Sequence, residues 1–294
     1  MSTSSVSGIN NLPFAKQGQS EHTAEKQYGL RKVLGQWLGI IHHIKINALN
    51  GKYKPDLCDI AKRDILYIDM NSGSGWNSEV NCIGSPLLFL EESRRFDIKR
   101  EIYFIESNVN SIVSLGERIR EQYPAEISMS SLGSCDLLTG HHERILPEII
   151  RRSGKRYGLV YHDPNGLPNF KLLSEISKHP DFWFVDILIR ISGTNYKRIR
   201  NGLNGYGSKK NHPELVGKYP NLKDQLKTIK KRQWIIRDIV DPDPSQWTFL
   251  FGTNWTEYKA WEKEGFYKID SSKGAAILNR VSYTIKELGE FGHD

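Results

Sequence analysis

Four acidic residues sit where an α/β protein does chemistry most readily. Asp69 ends the apolar run Ile65-Leu-Tyr-Ile and leads into Asn71, Ser72, Gly73, Ser74 and Gly75. Glu106 ends Ile102-Tyr-Phe-Ile, Asp136 follows Cys135 in what reads as a loop, and Asp163 ends Gly158-Leu-Val-Tyr-His162. A short continuous apolar run marks a strand covered on both faces. In an open parallel sheet, ligands bind outside the carboxyl ends of such strands, at the switch point. A carboxylate there can accept from both hydroxyls of a ribose. Gly73 and Gly75 lack Cβ, so the turn can bend sharply and let a ligand approach the backbone.

The spacing narrows the ligand. Glu106 lies about thirty residues beyond Gly75, against roughly 20 in the dinucleotide fingerprint. Ser78 stands where that fingerprint needs its third glycine. A nicotinamide cofactor is therefore disfavoured, and a pyrophosphate-free nucleoside such as S-adenosylmethionine fits better. Glu106 would take its ribose, Asp136 its adenine, and the turn from Asp69 through Asn71, Gly73 and Gly75 its amino-acid end.

These acids need a sheet to hold them. Strands alternate with helices across residues 64–190, the pattern of βαβ units and a parallel sheet. Ahead of it, Tyr28, Leu30, Val33, Leu34, Trp37, Leu38, Ile41 and Ile44 recur at helical spacing and predict a helix over 22–50 opened by Thr23. Helices are expected from Gly84-Ser-Pro86, over Ser111–Gln122, Leu146–Arg152 and Lys171–His179. Further strands are expected at Glu126–Ser130 and Phe182–Ile189, and a final antiparallel pair from Trp247–Phe251 and Phe266–Ile269. Residues 1–21 read as a mobile tail and 22–294 as a single domain. Residues 191–233 form a basic, glycine-interrupted insertion.

Composition sets the class. With 294 residues, 38% hydrophobic and 26% charged, the chain can bury a sizeable core. No apolar run approaches the roughly 18 residues of a membrane span. The N-terminus lacks a basic segment followed by an apolar core. Cys58, Cys82 and Cys135 have no CxxC spacing, which argues against zinc and disulfides; the expectation is a cytoplasmic protein with no metal. The net charge of +7 favours an anionic partner.

Asp69-Met-Asn-Ser-Gly73-Ser-Gly75 resembles the Asp-x-Phe-Ala-Gly-x-Gly motif of class I S-adenosylmethionine-dependent methyltransferases. The chain is more closely similar to the three-Cys-motif partner (TcmP) family. His22-Thr23 with Lys26, Tyr67-Ile-Asp69 with its glycine turn, Gly84-Ser85-Pro86-Leu87 and Asp163-Pro164-Asn165-Gly166 carry this likeness over roughly residues 22–190. The resemblance implies a Rossmann-like methyltransferase sheet, mostly parallel with an antiparallel C-terminal edge and helices on both faces. Two positions depart from the pattern. Asn71 replaces an aromatic, and Gly166 stands where base-amino methyltransferases place the ring that stacks on a flipped base.

The function these residues imply is methyl transfer from S-adenosylmethionine to a nitrogen or oxygen nucleophile. Asp163 would accept a hydrogen bond from that nucleophile, with Asn165 and His162 assisting. Lys197, Arg198, Arg200, Lys209 and Lys210 would follow nucleic-acid phosphates. The alternative is a non-catalytic module that binds a nucleotide or docks a partner protein on the same fold.

Overall fold

In the computed structural model the described residues are 23–78, 81–124, 133–164, 166–197, 222–240, 246–255 and 259–282. The expected tail, the expected strand at 126–130 and most of the basic insertion lie outside them. Helix α1 runs Thr23–Leu49, followed by α2 (Pro55–Lys62) and β1 (Ile65–Asp69). A short hairpin, β2 (Trp76–Asn77) and β3 (Cys82–Ile83), precedes α3 (Ser85–Arg94) and β4 (Arg100–Glu106). Next come α4 (Val109–Gln122), β5 (Gly133–Thr139), α5 (His142–Ser153), β6 (Gly158–His162) and α6 (Phe170–Ser177). A 3-10 turn at Pro180–Phe184 leads into β7 (Val185–Ser192). The remainder is α7 (Leu222–Thr228), β8 (Gln233–Arg237), β9 (Trp247–Thr253), α8 (Lys259–Glu262), β10 (Phe266–Lys268) and α9 (Ser272–Ser282).

The described strands of the main sheet lie in the order β10-β8-β9-β7-β6-β1-β4-β5. From β5 to β7 every pairing is parallel, and β9, β8 and β10 add an antiparallel edge. This is the Rossmann-like, methyltransferase-type sheet that the strand pattern and the resemblance led us to expect. Strand β1 sits between β4 and β6, and all five of its residues are buried. Both faces are covered, which is why its sequence is apolar without alternation. Ile65 and Tyr67 pack with α1 and α3 residues such as Leu34, Trp37 and Phe89. Leu66 and Ile68 pack on the other face with α5 and α6 residues such as Leu146, Ile150 and Leu173. The sheet is thus the middle of three layers.

Several expectations need correction. Cys135-Asp136 is not a loop: Tyr103 and Asp136 are partners in the β4–β5 ladder. As a half-exposed edge strand, β5 has no apolar run to reveal it. It starts where Gly133, at φ +115°, lies so close to β4 that a Cβ would fall 1.8 Å from the Arg100 carbonyl oxygen. Phe182 to Phe184 form a 3-10 turn with Pro180 near its start rather than the beginning of a strand. Strand β8 begins where the expected insertion ends and was not expected from the sequence; its Trp234 is buried. Helices α2 and α9 and the β2–β3 hairpin are further elements the pattern did not disclose.

Candidate functional site

The turn after β1 is held by the two acids expected there. Asp69 is fully buried; its Oδ1 accepts from the Asn71 N–H at 3.1 Å and its Oδ2 from the Ser85 hydroxyl at 2.7 Å. Glu106, at the end of the neighbouring β4, accepts from the Gly73 N–H at 2.9 Å through Oε2 and from the Asn108 N–H at 2.9 Å through Oε1. Asn108 in turn caps α4 by accepting from the Ser111 N–H. The glycines have different tasks. Gly73 (φ +60°) has no atom within 4 Å of the place a Cβ would occupy, so space lies open above it. Gly75 (φ +73°) is packed against Leu87 and Leu115. Gly84 lies against Gly75, accepting no side chain because a Cβ would come 2.8 Å from the Gly75 backbone, and its N–H donates to the Gly75 carbonyl at 2.8 Å. The hairpin between them is closed by this backbone contact.

Burial pushes the Asp69 carboxyl up to about 7, helped by the charges of Asp163 and Glu106 and opposed by the bonds from Ser85 and Asn71. Asp163 shows the opposite balance. Burial would raise it, but Lys26 and Arg190 outweigh that and hold it at about 2. Its Oδ2 accepts from Lys26 Nζ at 2.8 Å and from the Tyr161 hydroxyl at 3.3 Å; its Oδ1 accepts from Arg190 at 3.2 Å. The three charged side chains are 12–19% exposed. Lys26 comes from the first turns of α1 and Arg190 from β7, so Asp163 is gripped from above and from the side. A carboxylate so held can accept a hydrogen bond but is a poor proton acceptor near neutral pH.

His162 is buried, and both ring nitrogens are engaged. Its Nε2 accepts from the Asn169 N–H at 3.1 Å, which leaves the ring proton on Nδ1 to be donated to Asn71 Oδ1 at 2.7 Å. Burial, with His142 beside it, pushes its pKa down to about 3 despite Asp163. It is a neutral strut between the β1 turn and the start of α6. Asn71, the position where the resemblance expects an aromatic, is the other end of that strut.

Asp69, Asn71, Gly73, Gly75, Glu106, His162 and Asp163 therefore converge at the carboxyl ends of β1, β4 and β6. Asp136 does not join them. It lies three residues before the end of β5 (Thr139), exposed, on the stretch of sheet that also carries Glu101 and Tyr103. Asn165 lies outside the described residues, as do Arg198, Arg200, Lys209 and Lys210. Lys197 is described and donates to Gln246 Oε1 at 2.8 Å. Sequence reasoning missed Arg190, although a basic residue within an otherwise apolar strand is a signal that it pairs with a buried acid. It noted Lys26 and Ser85 only as parts of motifs. Among the described residues no group of three or more His, Cys, Asp or Glu could hold a metal ion. No described helix is long and apolar enough to cross a membrane.

No family model matches the chain, and no curated protein matches it. Solved structures resemble it in outline. The bifunctional kinase-methyltransferase WbdD is 11% identical over 84% of this chain and 45% of its own, with a TM-score of 0.43. The Methanococcus jannaschii fibrillarin pre-rRNA processing protein is 15% identical over 66% of this chain and 69% of its own, at 0.37. The METTL16 MTase domain is 12% identical over 66% of this chain and 61% of its own, at 0.38. The chain thus spans under half of WbdD. Overlaps at these TM-scores say nothing about activity, and the fold assignment rests on strand order and register.

Proposed function

We propose that the chain is an S-adenosylmethionine-dependent methyltransferase acting on a nitrogen or oxygen acceptor. The observation that carries this reading is the shared grip of Asp69 and Glu106 on the glycine turn, with open space over Gly73. The residues fit the cofactor. Glu106 Oε1 accepts from the Asn108 N–H and, at 3.3 Å, from the Ser107 hydroxyl, while Oε2 accepts from the Gly73 N–H and keeps lone-pair capacity for a ribose hydroxyl. Asp69 lies at the turn that would receive the amino-acid end. When bound, the cofactor supplies an electrophilic methyl group, so the protein's part is to position and to exclude water. Asp163 would orient the acceptor's lone pair as a hydrogen-bond acceptor, fixed by Lys26 and Arg190. The finer resemblance to the three-Cys-motif partner family, a nucleic-acid acceptor, a protein partner and a cytoplasmic location belong to the same proposal. The motif order supports the family resemblance, and the basic insertion supports a nucleic-acid acceptor.

The test is calorimetric titration of the protein with S-adenosylmethionine, then with S-adenosylhomocysteine, alongside Asp69→Ala and Glu106→Ala. Binding that both substitutions abolish supports the site; unchanged affinity in both variants removes it. A second reading, a binding module without catalysis, is favoured by one observation: cations already engage both oxygens of Asp163. Incubation with a methyl-labelled donor and mixed nucleic acid or lysate separates the two. Transfer lost in Asp163→Ala supports the enzyme, and ligand binding without transfer supports the module.

A further inference from the structure

At the opposite end of the sheet lies a cleft of about 220 Å³ lined by Leu57, Trp183, Phe184, Arg232, Asn254 and Trp255. Its place follows from the register. Phe184 immediately precedes β7, and Asn254 and Trp255 follow β9, whose Gly252 is the antiparallel partner of Ile187. The cleft therefore opens at the amino ends of the parallel strands, the full length of the sheet away from Asp69 and Asp163. Nothing in the methyl-transfer site uses it.

The walls are aromatic and held in place. Tyr157 packs edge-on against Phe184 at 5.6 Å between ring centroids and tilted against Trp255 at 5.5 Å. Asn254 ties the rim together: its Oδ1 accepts from the Arg232 N–H at 2.8 Å and its Nδ2 donates to the Trp183 carbonyl at 2.7 Å. Trp183 is 45% exposed, unusual for so large a ring, and the Arg232 guanidinium lies 4.9 Å from its centroid. An exposed tryptophan stacked with arginine at the mouth of an aromatic cleft presents flat, polarisable surface beside a positive charge.

The adjoining backbone sorts its charges. In the turn Lys230-Lys231-Arg232, Lys231 points inward to the Phe182 carbonyl at 3.0 Å and to the Val185 carbonyl, near the buried Asp186. Lys230 and Arg232 are both exposed, and Arg232 lines the cleft. Aromatic faces with flanking cations match a base attached to a phosphate, because stacking holds the base and the cations hold the backbone. An aromatic side chain of a peptide would use the walls but not the cations.

The geometry points to a binding site for an unpaired nucleobase of single-stranded nucleic acid in the cleft bounded by Trp183, Phe184 and Trp255, with Arg232 taking the adjoining phosphate. This does not rest on the methyl-transfer reading, and binding is read without any cofactor. The measurement is fluorescence anisotropy of a labelled mixed-sequence single-stranded RNA 12-mer against the full chain, repeated with Trp183→Ala, Trp183→Phe and Arg232→Gln. Trp183→Ala should weaken binding by about five- to a hundredfold, the range for loss of one stacked base, while Trp183→Phe keeps most of it. Arg232→Gln should reduce the slope of log affinity against log salt by about one. Circular dichroism confirms that each variant is folded. The inference fails if the wild type does not bind the RNA, or if Trp183→Ala binds within about twofold of wild type. It also fails if a tryptophan-containing neutral peptide displaces the RNA as well as adenosine monophosphate does.

Discussion

Lys26 Nζ lies 2.8 Å from Asp163 Oδ2, so the first turns of the N-terminal helix close over the carboxylate that directly follows β6. The contact spans most of the methyltransferase-type core in sequence and joins its first element to its candidate acceptor position. Replacing Lys26 by Met leaves Asp163 with Arg190 alone in a largely buried setting. Urea unfolding should show a loss of about 1–3 kcal/mol. The sign of the pH effect is set by the lowered Asp163 pKa. With a folded value of about 2 against an ordinary 3.8, the group contributes stability that is present above about pH 4 and lost as pH falls toward 2. Lys26→Met should shrink that acid-side loss, and an unaltered acid limb would mean the pair is not formed.

Asp69 reverses this sign. Its folded pKa of about 7 lies above the ordinary 3.8, so the folded protein holds a proton that the unfolded chain has released. Stability should fall as pH rises from about 4 to about 7 and level off above. Asp186, pushed up to about 6 mainly by burial, adds a slope of the same sign. Asp69→Asn should therefore flatten the profile only in part, and mostly in its upper half. Denaturant midpoints at half-unit pH steps provide the comparison.

The two neighbouring glycine positions should separate folding from ligand binding. Gly84→Ala drives a Cβ into the Gly75 backbone and is expected to cost about 1–3 kcal/mol by overpacking. Gly73→Ala meets no atom, so only its left-handed backbone is penalised, at about 1–2 kcal/mol. Its Cβ instead enters the open space over the turn. Calorimetry should show cofactor affinity falling more in Gly73→Ala than its modest loss of melting temperature suggests.

The strut between Asn71 and His162 can be tested directly. Asn71→Ala leaves the His162 Nδ1–H buried without its acceptor, worth about 1–3 kcal/mol. In the wild type, nitrogen NMR should find His162 as the neutral Nδ1-protonated form with no titration from pH 5 to 8. A titrating His162 in that window would remove the strut.

What the sequence disclosed and what it hid follow from the same physics. Strands β1 and β6 are apolar because both of their faces are buried, and an acid ends β1 and β4 and directly follows β6; that much was legible at Asp69, Glu106 and Asp163. Edge strand β5 has neither property, so Asp136 was placed in a loop and its distance from the cluster could not be foreseen. The partners of Asp163 come from elements remote in sequence. Arg190 stands out only as a basic residue in an apolar strand and Lys26 not at all, and only the packing of α1 over the sheet brings both to one carboxylate. Asn71 read as a missing aromatic, whereas the fold uses it as the acceptor of a buried histidine.

The strand order also bears on how the chain is made. Strand β9 lies between β7 and β8 although it follows both in sequence. When β8 leaves the ribosome its strand neighbours among the described residues, β9 and β10, have not yet been synthesised. The antiparallel edge can therefore zip up only after residue Thr253 has emerged, at synthesis rates of about 5–20 residues per second. Until then the edge of β7 that β9 will cover stays unpaired, a template for pairing with another chain.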